Sequence, residues 1–125
     1  VDLTQSVLEG VAFGLRDSLE ALKQTGALPK TLYAIGGGSK SDYWLKLLAT
    51  VLQIELQTPE DGDFGPALGA ARLAQIASCG SDYNTVMRSP TVSSVVKPDA
   101  NSIDLFEEAY QDFKQKFITY RSVSY

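Results

Sequence analysis

The chain has 125 residues, 44% apolar and 21% charged, with a net charge of −4, a balance that suits one soluble globular domain or part of one. No stripe of lysine and arginine is available to neutralise phosphates, and the longest apolar neighbourhood, residues 44–52, is broken by Lys46, so neither a nucleic-acid surface nor a membrane span is expected. One cysteine and no histidine exclude a disulfide framework, the usual zinc sites and any Ser-His or Cys-His nucleophile pair drawn from this chain.

The chain opens on Val1 and on a pattern that is already helical, so it reads as excised from something longer, with no secretory signal. Leu8, Val11, Ala12, Leu15, Leu19 and Leu22 recur at three- and four-residue spacings, which predicts an amphipathic helix. Asp2 and Gln5 allow a capping-box-like start, and Gly26 with Pro29 closes it. Gly10 and Gly14 lie one turn apart within it, each disfavoured by roughly 1 kcal/mol relative to Ala. Close packing against a neighbouring backbone is the expected reason.

Residues 31–35, TLYAI, form a β-favouring run that predicts a buried parallel strand. It ends on Gly36, Gly37 and Gly38. Ser39 or Ser41 then caps a helix to about Gln53, in which Trp44, Leu45, Leu47, Leu48, Val51 and Leu52 leave little polar surface. Residues 54–58, IELQT, alternate with period two, so strand, helix and strand make a βαβ unit with an expected right-handed crossover. Pro59 stops the second strand. Glu60, Asp61 and Asp63 with Gly62 and Gly65 make an acidic loop, and Pro66 opens a helix of mostly small residues to about Ala77.

Cys79, at the end of that helix, is expected to be semi-buried, and a single unpaired thiol fits a cytoplasmic protein. Residues 78–101 are broken by Gly80, Asn84, Pro90 and Pro98 and read as a wandering connection, with only 92–97 as a short extended piece. A last helix starts near Asn101 or Ser102. It places Phe106, Ala109, Tyr110, Phe113, Phe117 and Tyr120 on a core face and leaves Glu107, Glu108, Lys114 and Lys116 for the wet one.

A strand that runs into glycines and then a helix presents backbone N–H groups at the positive end of the helix dipole, where a phosphate, a ribose or a base can approach. The spacing G-G-G-S-K-S matches neither the dinucleotide fingerprint nor the phosphate-gripping loop, so Lys40 is not assigned to phosphate by that rule. The glycines alone serve two readings, a tight turn or a nucleotide contact. The second glycine-bearing turn, residues 62–65, leaves the adjacent strand at its carboxyl end, so both turns are expected at one crevice.

The stretch IGGGSKSDYWLKLLATVLQIELQTPEDGDFGPALGAARLA, residues 35–74, resembles the carboxyl-terminal half of the FGGY family of carbohydrate kinases, and EGVAFGLRDSLEAL, residues 9–22, looks like the helix that precedes it there. The likeness is greatest to members acting on xylulose and fades beyond about Ser78. It implies an α/β fold, part of an actin-like, ribonuclease-H-like domain with a short, mostly parallel sheet packed by helices. Residues 1–125 would be the carboxyl-terminal portion of the second domain, without the amino-terminal sugar-binding domain. The implied function is transfer of a phosphoryl group from ATP, with Mg²⁺, to a ketose such as D-xylulose.

By the same resemblance the nucleotide lies near Gly36, Gly37 and Gly38, with Ser39 and Asp42 toward its ribose and base, while a helix-start role competes for Asp42. The PALGAA helix packs behind the site. None of the aspartates sits in a catalytic motif, so no catalytic residue and no metal ligand is assigned, and the fragment alone is expected to be inactive. The acidic loop reads as solvated, with a water-held magnesium as its alternative, since it does not fit a calcium loop. A second reading of the whole chain is an interaction module that has kept the half-fold without nucleotide binding and self-associates, for example as a homodimer, through an unpaired sheet edge and uncovered apolar faces.

Overall fold

A computed structural model of the protein describes residues 2–60, 62 and 65–123. The elements in order are α1 (Asp2–Gln24), β1 (Thr31–Tyr33), a 3₁₀ turn (Gly37–Lys40), α2 (Asp42–Leu52), β2 (Glu55–Pro59), α3 (Gly65–Cys79), α4 (Tyr83–Val86), β3 (Val92–Val96) and α5 (Ile103–Val123). The acidic loop falls largely on Asp61 and Asp63, which lie outside the described residues.

The sheet has the order β1-β2-β3. β1 and β2 run parallel, with Leu32 opposite Leu56, and β3 lies antiparallel on the other side of β2, with Gln57 opposite Val95. The sheet is therefore mixed, with one parallel and one antiparallel pair. Pro59 stays within β2 as its last residue, and the register slips between Thr58 and Pro59, where the missing proline N–H leaves the ladder without a donor. The segment predicted to wander supplies β3 and the short α4. Asp82 starts α4 by accepting from the Thr85 N–H.

α2 is the centre of the core. Leu45, Leu47, Leu48, Ala49, Thr50, Val51 and Leu52 are all buried, and burying each large aliphatic side chain favours folding by roughly 1.5–3 kcal/mol. Ser41, rather than Ser39, caps this helix: its hydroxyl accepts from the Trp44 N–H at 3.3 Å. At the other end Gln53 adopts a left-handed conformation, φ 54°, and its N–H bonds back to Ala49 and Thr50, so the chain passes into β2 within two residues. Thr50 is buried with its hydroxyl satisfied twice, donating to the Lys46 carbonyl and accepting from the Asp99 N–H. That pair fixes the approach to α5.

α1 buries part of the predicted stripe, Ala12 and Leu19 with Leu8 packed beside them, but the buried face is turned toward Phe13 and Arg16. Ala12, Phe13, Arg16 and Leu19 face the core, whereas Val11, Leu15 and Leu22 are exposed. The charged Arg16 is buried because it lies one turn from Ala12 and Phe13 and finds partners on α5: its Nη2 donates to Glu107 at 2.5 Å, and its guanidinium sits 4.2 Å from the centre of the Tyr110 ring. Its Nε and Nη1 have no acceptor among the described residues. Tyr110 in turn donates to Asp17. Burial, then that hydrogen bond, raises the Tyr110 phenol well above its ordinary range.

Four further expectations are corrected. A methyl group placed on Gly10 or Gly14 would meet nothing within 4 Å, so close backbone packing does not explain them. Gln5 does not complete a capping box; its side chain donates to Glu9, four residues on, and accepts from the Tyr43 hydroxyl. Cys79 is exposed. Along α5, Phe106, Ala109, Tyr110 and Phe113 join the core, but Phe117 and Tyr120 stand exposed, because α5 has run beyond the elements it packs on.

Candidate functional site

The two glycine-bearing turns do meet. The parallel ladder continues past β1, with the Ala34 N–H donating to the Gln57 carbonyl at 2.8 Å, and the next bond joins the turns: Gly36 N–H to Gly62 carbonyl, 3.1 Å. The turn itself is a single 3₁₀ coil. Both the Ser39 N–H and the Ser39 hydroxyl donate to the Gly36 carbonyl, at 3.1 and 2.7 Å, and the Ser41 N–H donates to Gly38. The N–H groups of Gly37 and Gly38, in the first turn of that coil, have no acceptor among the described residues.

The three glycines have three different reasons. Gly36 holds φ 81°, a conformation in which any β-carbon is strained. Gly38 has the indole of Trp44 against it: a β-carbon there would lie 3.2 Å from both Cδ1 and Nε1 of the ring. Gly37 has no positive φ and, among the described residues, no neighbour within 4 Å of the place a β-carbon would occupy. Nothing within the described residues requires a glycine there.

Ser39 is half-buried and spends its hydroxyl proton inside the turn, so toward a ligand it offers an acceptor oxygen. Asp42 stands exposed in the first turn of α2, where a carboxylate complements the helix dipole. Gly36, Gly37, Gly38, Ser39 and Asp42 are thus brought together on one short stretch between β1 and α2.

An open cleft of about 580 Å³ lies at the carboxyl ends of β1 and β2, lined by Tyr33, Ile35, Gly62, Leu68 and Arg72 among others. The triple-glycine turn does not line it. The single crevice expected for both turns is therefore two adjoining places: the cleft on the α3 side, and the exposed face of Gly37 and Gly38 beside it. Gly65 belongs to the cleft, and its reason is internal, since a β-carbon there would lie 2.7 Å from Ile35 Cδ1. Arg72 reaches across to the Arg88 carbonyl at 3.2 Å. No group of three or more potential metal ligands occurs among the described residues.

Sequence reasoning placed Trp44 in the core and missed its contact with Gly38. Six positions separate them, so neither helical nor strand periodicity pairs them; only the 3₁₀ coil folds the glycine back onto the ring.

A mixed three-stranded sheet with a glycine turn between strand and buried helix defines an α/β domain of the actin-like, ribonuclease-H-like kind found in sugar kinases. Residues 1–78 match the carboxyl-terminal domain of the FGGY family of carbohydrate kinases, and the chain belongs to that family. It is similar to the xylulose kinase of Escherichia coli K12, 46% identical over 77 residues that cover 62% of this chain and 16% of that protein. It is also similar to the xylulose kinase of Staphylococcus epidermidis RP62A, 30% identical over 121 residues covering 90% of this chain and 23% of the relative. Among solved structures, that of a "xyloylose kinase" from Brucella ovis superposes with a TM-score of 0.87 at 43% identity, covering 98% of this chain and 25% of the other. The chain thus spans a quarter or less of the length of these relatives.

Proposed function

We propose that the chain is the nucleotide-side, carboxyl-terminal portion of the second domain of an ATP-dependent kinase, one that phosphorylates a ketose such as D-xylulose to its 5-phosphate. Membership of the carbohydrate-kinase family and the likeness to xylulose kinases support the class of reaction. The observation that carries the site is Gly37. Among the described residues nothing stands within 4 Å of where its β-carbon would be, its φ does not call for glycine, and neither its own N–H nor that of Gly38 has an acceptor. Such donors suit a phosphate oxygen, and the bare Cα suits close approach of a ribose.

Gly36 shapes this turn, Gly38 contributes its N–H, Ser39 offers an acceptor oxygen, and Asp42 lies at the edge toward the ribose and base. Phosphoryl transfer rests on positioning, on charge neutralisation by Mg²⁺ and on a carboxylate near the acceptor hydroxyl. No such carboxylate cluster occurs among the described residues; in this reading Mg²⁺ comes with ATP, and the sugar pocket and proton acceptor come from the rest of the kinase. The chain alone should turn over no substrate. An interaction module without nucleotide binding gains no support from relatives that are themselves named kinases.

The test is Gly37→Val in the full-length kinase that carries this segment. It should raise KM for ATP by about tenfold or more while leaving KM for the sugar unchanged, the pattern of a lost nucleotide contact. An unchanged KM for ATP would remove the turn from the site.

A further inference from the structure

We infer that Trp44 is a positioning residue for nucleotide binding: its indole, seated against Gly38, holds the triple-glycine turn in the shape that leaves Gly37 open. The inference rests on the nucleotide reading of that turn.

Three successive glycines lose more backbone freedom on ordering than any other tripeptide, so a turn built from them is well formed only where something outside it restrains it. On the inner side the restraint is the bonding of Gly36 to Gly62 and of Ser39 to Gly36. Next to Gly38 the close neighbour is Trp44, with the Cδ1–Nε1 edge of its ring at 3.2 Å from the position of a β-carbon. Among the described residues no other atom outside the turn lies within 4 Å of that position.

The ring is itself well held. Its backbone N–H is fixed by the Ser41 hydroxyl at the start of α2, and the side chain packs, half-buried, against the core cluster that includes Leu45 and Leu48. The indole N–H donates to no acceptor among the described residues, so contact rather than a hydrogen bond seats the ring on the turn. Gly38 and Trp44 form a lock of a missing side chain and a large one. The neighbouring Gly37 is exposed, and its N–H has no acceptor among the described residues.

The physical consequence concerns ordering. A turn ordered before the ligand arrives spares that ordering cost at binding, whereas a loosened turn must be ordered each time nucleotide binds. Loss of the ring should therefore weaken nucleotide binding and little else.

The experiment compares Trp44→Leu, Trp44→Phe, Gly38→Ala and the double variant Gly38→Ala/Trp44→Leu in the full-length kinase. It measures KM for ATP, KM for the sugar, kcat and thermal unfolding without ligand. Trp44→Leu should raise KM for ATP by about five- to twentyfold, with kcat and KM for the sugar within about twofold, and Trp44→Phe should restore most of the affinity. Gly38→Ala should also raise KM for ATP, but by less when Trp44→Leu has removed the ring its methyl group would strike, a non-additivity expected of touching residues.

Equal rises in both KM values with a lowered melting temperature would mean a structural role only and would overturn the inference. So would an undiminished Gly38→Ala effect in the double variant, which would show that Gly38 answers to the nucleotide rather than to the ring. If Trp44→Leu does not fold, Trp44→Phe and Gly38→Ala each still touch the same contact, and an unchanged KM for ATP in both overturns it. Gly37→Val separates the two readings. Should it raise KM for ATP while Trp44→Leu does not, only the role of Trp44 falls; should neither do so, the turn is not the nucleotide site and both fall.

Discussion

α2 and α3 are both apolar helices that follow a parallel strand, yet seven residues of α2 are buried and none of α3 is. α2 lies under α1, α5 and the sheet at once, while α3 meets mainly the four-residue α4, and its Leu73 is 59% exposed. Apolar composition therefore does not by itself determine burial. What decides it is whether other elements arrive on several sides of the same helix.

The largest effect that tests this contrast is a cavity. Leu45→Ala, at a side chain 3% exposed, should destabilise the chain by about 2–5 kcal/mol in chemical denaturation. The matched change Leu73→Ala on α3 should stay within about 0.5 kcal/mol, as surface substitutions do. If the two cost alike, α3 is more closely packed in solution than its exposure indicates.

A smaller effect is expected at the entrance to α2. Ser41→Ala removes the cap on the Trp44 N–H and should cost about 1 kcal/mol, read by the same unfolding measurement.

The smallest effect is one of pH, on the α5 flank of the α2 core. Hydrogen bonds from Gln111, then from Arg16, lower the Glu107 carboxyl below its ordinary value. A carboxylate so depressed stabilises the fold fully above its unfolded value, about 4.3, and loses that contribution as pH falls through the lower folded value. Wild type should lose melting temperature more steeply than Glu107→Gln below about pH 4, a modest difference because Glu107 is partly exposed. Parallel profiles would show that the Arg16 contact adds nothing to stability.

Much of the fold was legible because its cues are local. The cap at Ser41, the period-two run of β2, the proline at the head of α3 and the parallel strand at Thr31 each rest on cues within a few residues; the burial expected of that strand does not follow, since β1 is only Thr31–Tyr33 and Tyr33 and Ile35 stand exposed. Less legible were Arg16, whose burial depends on Glu107 and Tyr110 standing opposite it, and Phe117 and Tyr120, which continue a stripe after its partner elements have ended. β3 was visible only as a short extended piece, since its pairing with β2 joins residues more than thirty positions apart. Of the candidate site, the three glycines could be read as a group, but not their separate reasons.

Periodicity, capping and turn chemistry by themselves determined the order of α1, β1, α2, β2, α3 and α5 and the presence of a bare backbone corner between the first strand and the buried helix, because such preferences are settled between near neighbours. The tertiary structure alone decided which side of α1 is buried, why an arginine lies in the core, and that Gly36 is bent, Gly38 is filled by Trp44 and Gly37 is open. Those outcomes depend on what stands across space from each residue, and an indole six positions away is placed there only once the coil and the helix have packed together.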